Sequence, residues 1–169
     1  RLFNTSTSQL KFTLVDNNQN GHGHYGNGNG NGSYCNNNGA LLLAHEMDGN
    51  GSAHYLISSA SKASRFTIWD VTRGVVAHHV TVREEWIILD IACSSCCSAA
   101  ATAMYVYVLV VDVKGKVVVF QYHAAKGKLT RKIKTGTDID LSNDDSTGKL
   151  CLSADGSIIA LCTAMSGVR

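Results

Sequence analysis

The sequence predicts an all-β protein, on three observations: short apolar runs, turn-forming residues between them, and a repeat of the whole pattern. The runs are rich in β-branched and aromatic residues, and Gly, Asp, Ser and Lys separate them. They cover residues 40–44, 55–57, 66–71, 75–82, 86–92, 104–111, 117–122, 129–133, 150–152 and 158–162. A further short run covers residues 10–15. No stretch sustains the 3.6-residue period of an amphipathic helix.

The repeat appears when SASKASRFTIWD (59–70) is set against VVDVKGKVVVFQ (110–121). Trp69 and Phe120 then occupy the same strand position, 51 residues apart. Each is followed by a polar residue, Asp70 or Gln121, and then by a glycine turn at Gly74 or Gly127. The final residues, TAMSGVR (163–169), look like the same turn and strand beginning again. On this period a third aromatic residue falls beyond position 169, so the chain is expected to stop partway through a repeat. Proline is absent, where average usage predicts about eight, and the sequence therefore reads as part of a longer chain.

The stretch SASKASRFTIWDVTRG (59–74) resembles the end of a WD40 repeat, which closes on Trp-Asp before a glycine turn. LCLSADGSIIA (150–160) is similar to the hairpin between the first two strands of such a repeat, with Ala154 where the family commonly has Pro. The resemblance covers roughly residues 40–169. It implies a partial WD40-type β-propeller with four-stranded antiparallel blades, about three of them visible and the last incomplete. It also implies structural roles for Trp69, Asp70, Phe120, Asp155 and Gly156. A blade cannot bury both faces alone, and stacking blades around an axis covers them.

Three departures stand out. The repeat exceeds the family's usual ~40–45 residues, no Gly-His dipeptide precedes the first strand, and Lys62-Ala63 replaces the Asp expected in the turn before Trp69. Trp69 is accordingly expected to pack without the family's network of His, Ser, Asp and Trp hydrogen bonds.

Residues 1–16 read as strand from a preceding blade. Residues 17–39 (NNQNGHGHYGNGNGNGSYCNNNG) carry almost no apolar side chains to offset the entropy of ordering, and read as a flexible insertion. Residues 40–169 form the propeller-like part.

With 15 basic and 13 acidic residues the net charge is +2, so no global field draws the chain to nucleic acid or membrane. No apolar stretch approaches the ~20 residues that cross a bilayer. Of the six cysteines, three crowd into Cys93-Ser-Ser-Cys96-Cys97, while Cys151 and Cys162 fall inside strand-like runs. That pattern suits reduced thiols in an intracellular compartment.

Candidate metal sites fail on spacing. The Cys93, Cys96 and Cys97 cluster has no second ligand pair. His22 and His24 lie in the Asn/Gly tract, and His78 and His79 point to opposite faces of a strand. Asp138-x-Asp140-x-Ser142 starts like a calcium loop, but Asn143 and Lys149 stand where Gly and Glu are required. No G-x-S-x-G or phosphate-binding loop appears, and no cofactor or catalytic site is expected.

The basic cluster is Lys126, Lys128, Arg131, Lys132 and Lys134, along an outer strand. Lysines on an edge strand discourage edge pairing; the alternative is a stripe that contacts RNA or DNA phosphates. If the strand is regular, Lys126, Lys128, Lys132 and Lys134 share one face and Arg131 points the other way.

The function expected is a non-catalytic scaffold that binds other proteins in a large intracellular complex, with the RNA backbone as a second candidate partner. By family-level analogy the first choice is a nucleolar pre-ribosomal small-subunit assembly. The rivals are a subunit of a coat, chromatin or ubiquitin-ligase complex, and a propeller enzyme or metal protein.

Overall fold

The computed structural model describes residues 2–3, 10–12, 41–46, 53–59, 63–94, 104–139, 141, 147–153 and 156–164. The chain divides into two compact units, Arg1–Asn37 and Asn38–Arg169. In the first, β1 (Leu2–Phe3) and β2 (Leu10–Phe12) pair as a small antiparallel hairpin. The Asn/Gly tract at 17–39 lies outside the described residues.

In the second unit the strands form three antiparallel sheets in chain order. The first sheet contains β3 (Leu41–Glu46), β4 (Ala53–Ser59), β5 (Arg65–Asp70) and β6 (Val75–Thr81). The second contains β7 (Ile87–Ser94), β8 (Tyr105–Val111), β9 (Lys116–His123) and β10 (Lys128–Asp138). The third contains β11 (Thr147–Leu152) and β12 (Ile159–Ala164). Each strand pairs with its neighbour in sequence, so each four-stranded sheet is a meander. Each of the ten apolar runs read between residues 40 and 162 overlaps one of these strands.

Apolar continuity explains the layering. β8 (YVYVLVV) and the first part of β9 (KVVVFQYH) are unbroken apolar runs, and strand alternation sends such side chains to both faces. Val106, Val108, Val110, Phe120 and Tyr122 meet Tyr55, Ile57, Phe66, Ile68 and Val80 of the first sheet. Tyr107, Leu109, Val111, Val117 and Val119 form a second core with Leu150, against which Leu152, Ile159 and Leu161 also pack. The second sheet is therefore the middle layer of three. Full burial of each such side chain contributes about 1.5–3 kcal/mol relative to exposure.

The two four-stranded sheets are built alike. Leu56 sits opposite Trp69 in the first as Val108 sits opposite Phe120 in the second. Ile68 and Val119 point forward to the next sheet, so the adjacent Trp69 and Phe120 point backward. Both aromatic residues are buried, at 6% and 4% exposure. One detail differs from a uniform period of 51. Ser59 pairs with Phe66 and Val111 with Val117, so Ser59 corresponds to Val111 rather than Val110. The turn from second to third strand is one residue shorter in the second sheet.

Candidate functional site

The turns after the two aromatic strands are the natural starting point, since the cationic run begins at the second. Both connections are four residues long, 71–74 and 124–127, and both end in a left-handed glycine: Gly74 at φ 70° and Gly127 at φ 58°. In the first, Asp70 is the cap. Its Oδ1 accepts the N–H of Arg73 at 2.9 Å, and Oδ2 lies 3.7 Å from the Arg73 guanidinium. The second turn contains the short 3-10 helix η1 (Ala124–Lys126), entered from His123, whose side chain makes no cap hydrogen bond.

β10 follows as the edge strand of the second sheet, and Lys126, Lys128, Arg131, Lys132 and Lys134 are all exposed. The strand is not regular. Leu129 pairs with Tyr122 and Arg131 with Gln121, so Thr130 is an extra residue in a bulge. Its hydroxyl donates to the carbonyl of Gln121 at 2.9 Å. The bulge reverses the facing expected of a regular strand. Lys128, opposite His123, now shares a face with Arg131, while Lys132 and Lys134 lie opposite Phe120 and Val118 on the other face. Lys126 is on the turn rather than the strand.

Lys132 is engaged. Its ammonium lies 4.9 Å from the ring centre of Trp86 and 5.7 Å from that of Phe120, while the Arg83 guanidinium stands 5.7 Å from Trp86. Such cation–π contacts contribute about 0.5–2 kcal/mol. Among the described residues the ion pairs are Arg73 with Asp70 and Lys149 with Asp90, and neither involves the cations of β10 or its turn.

The structure also places residues that periodicity alone did not single out. A register shift between Ile88 and Asp90 turns Asp90 toward β11, where Oδ2 accepts the N–H of Leu150 at 2.9 Å. Oδ1 lies 3.7 Å from the Lys149 ammonium. At the other end of the sheet Gln121 donates to the Tyr107 hydroxyl at 2.7 Å, which donates to the carbonyl of Gly156 at 3.3 Å. Together these contacts tie the second sheet to the third. No local signal reports them, because the partners are separated by 49 and 60 residues.

The indole N–H of Trp69 donates to the Ser58 hydroxyl at 2.9 Å. The signal was legible in hindsight, since Ser58 lies two residues beyond the cross-strand partner Leu56 on the same face. Gly156, at φ 70°, sits in the turn between β11 and β12, while Asp155 lies outside the described residues.

Among the described residues, no group of three or more His, Cys, Asp or Glu could hold a metal ion. His78 contacts the carbonyl of Ala125 at 2.9 Å and His79 lies 3.3 Å from the Thr67 hydroxyl, on opposite sides of β6. Cys93 packs against the core between the first two sheets, and burial pushes its thiol up to about 12. Cys96, Cys97, Asp140 and Ser142 lie outside the described residues. No helix among the described residues is long and apolar enough to cross a membrane. Comparison with protein-family models, with curated proteins and with solved structures finds no match to this chain.

Proposed function

We propose that the chain is a non-catalytic scaffold made of successive WD-type propeller blades, presenting its turns and outer strands to other macromolecules. The observation that supports it best is the middle sheet, covered on one face by the sheet before it in the chain and on the other by the sheet after it. A sandwich needs two layers with one buried face each, whereas a sheet buried on both faces, between meanders in chain order, suits blades arranged around an axis. The Trp69-to-Ser58 hydrogen bond adds a family-like detail.

On this reading the protein works by holding proteins of a multi-subunit intracellular complex together. The narrower assignment, to pre-ribosomal small-subunit assembly, rests on the resemblance, and the cationic outer strand is compatible with it. The test is sedimentation of the tagged full chain from a native extract, with and without ribonuclease, alongside measurement of small-subunit rRNA precursors after its depletion. Migration in a large particle supports the scaffold. Loss of that migration on ribonuclease treatment, with accumulated precursors, supports the narrower assignment. Migration as a free monomer overturns both.

A further inference from the structure

The turn at 124–127 is the counterpart of the turn at 71–74, yet the two treat their cations differently. In the first, Asp70 neutralises Arg73. In the second the residue at the entrance to the turn is His123, whose side chain makes no cap hydrogen bond and is no anion, while the amide of Gln121, two residues earlier, is spent on the Tyr107 hydroxyl and on the Thr130 hydroxyl at 3.2 Å. Lys126, Lys128 and Arg131 are exposed, and none has an ion-pair partner among the described residues. The Thr130 bulge brings Lys128 and Arg131 to one face, beside the turn that carries Lys126.

From this arrangement we infer that Lys126, Lys128 and Arg131 form a facet that binds the phosphodiester backbone of a nucleic acid. Two features favour that occupant over an acidic peptide. Register shifts at 129/131 and at 134/138 interrupt the strand, so a peptide cannot add to its edge as a continuous fifth strand. Leu129, the large apolar residue exposed on this part of β10, lies opposite Tyr122 on the other face, which leaves the facet without an apolar anchor of the kind protein interfaces use. Phosphate binding needs only positioned cations, with Arg131 able to bond two oxygens at once. Lys132 is excluded from the facet, because its ammonium is held over Trp86 and Phe120.

The inference rests on the scaffold reading for its purpose but fails separately from it: a chain that binds no nucleic acid can still sediment in a protein complex. The experiment is fluorescence anisotropy of the full chain with a labelled single-stranded RNA of mixed sequence, between about 50 and about 200 mM salt. The triple variant Lys126→Gln, Lys128→Gln, Arg131→Gln should lose about tenfold or more in affinity at the lower salt. Its slope of log affinity against log salt should become shallower by about 2, since each single-strand contact contributes about 0.7. Lys132→Gln should leave the slope unchanged. Thermal unfolding of each variant separates lost binding from lost folding. A DNA strand of the same sequence tells the sources apart: equal binding assigns the phosphates alone, and preference for RNA adds the 2′-hydroxyl. No binding by the unmodified chain overturns the inference, as does an unchanged slope in the triple variant. Binding of a polyglutamate peptide as tight as that of RNA also overturns it.

Discussion

The first four-stranded sheet carries a polar pair where the second carries an apolar one. Trp69 and Ser58 are hydrogen-bonded in the first; in the second the equivalent positions are Phe120 and Val110, both buried. The substitutions match in chemistry. An indole N–H removed from water needs an acceptor, whereas a phenyl ring needs none, and a buried hydroxyl beside it would itself lack a partner. One backbone position thus accepts two solutions, each complete in itself. The turns that follow differ in a parallel way, with Arg73 paired to Asp70 in the first and Lys126 left outward-facing in the second.

The bluntest way to break the comparison is truncation of the aromatic residues. Trp69→Ala and Phe120→Ala should each cost about 3–5 kcal/mol in denaturant unfolding, because both empty a large buried site. Phe120 also touches Trp86 at 5.3 Å and Tyr122 at 6.3 Å between two complete sheets, so its loss should loosen both together. A change near zero at either position means that the residue is not a core element. A finer probe is Ser58→Val, which leaves the Trp69 N–H without its acceptor and should cost about 1–3 kcal/mol. In the double variant Ser58→Val, Trp69→Phe, the combined loss should fall short of the sum of the single losses by about 0.5 kcal/mol or more. Strict additivity would show that the hydrogen bond carries no coupling.

Smaller effects are expected at the turn glycines. Gly74→Ala and Gly127→Ala both place a side chain at positive φ, at about 1–2 kcal/mol each. Gly127→Ala should be the worse of the two, since an added Cβ would lie 2.6 Å from the His78 ring and displace its contact with Ala125. Equal losses measured by thermal unfolding would mean that His78 moves aside freely.

Much of this architecture was legible because strands announce themselves locally. Alternation, apolar continuity and turn residues located all ten strands of the second unit, and the 51-residue spacing put Trp69 and Phe120 in equivalent places. Single-residue irregularities escaped that reading. The extra residue at Thr130 and the register shift next to Asp90 leave no trace in a period of two, yet each decides where a charge points. The one-residue difference between second-to-third-strand turns hid the equivalence of Ser58 with Val110, and with it the exchange of a polar pair for an apolar one. Asp90 lies inside the run 86–92 with nothing local to single it out, because its partner Leu150 lies on another sheet.

The last contrast concerns pH. Among the described residues, the second sheet holds the buried groups whose titration is displaced. Cys93 on β7 packs into the core shared with the first sheet, and desolvation there raises its thiol from 9.0 to about 12. Tyr122 on β9, edge-on to Phe66 at 5.2 Å, is raised by burial from 10.0 to about 12. In both cases the folded state keeps the proton that the unfolded chain releases, so the unfolded state binds fewer protons and stability falls as pH rises. For Cys93 the contribution is fully present below pH 9 and is lost progressively between 9 and about 12. At pH 10 the loss should be roughly 1 kcal/mol, from a slope of about 1.4 kcal/mol per pH unit per group. Urea unfolding at pH 8 and pH 10 measures it, and Cys93→Ala should remove that part of the decline while leaving the part due to Tyr122. The same burial should slow thiol-reactive dyes at Cys93 relative to Cys151 and Cys162, which are exposed. Rapid labelling of Cys93 in the folded protein, together with a stability flat across this range, would mean that the core between the first two sheets opens readily.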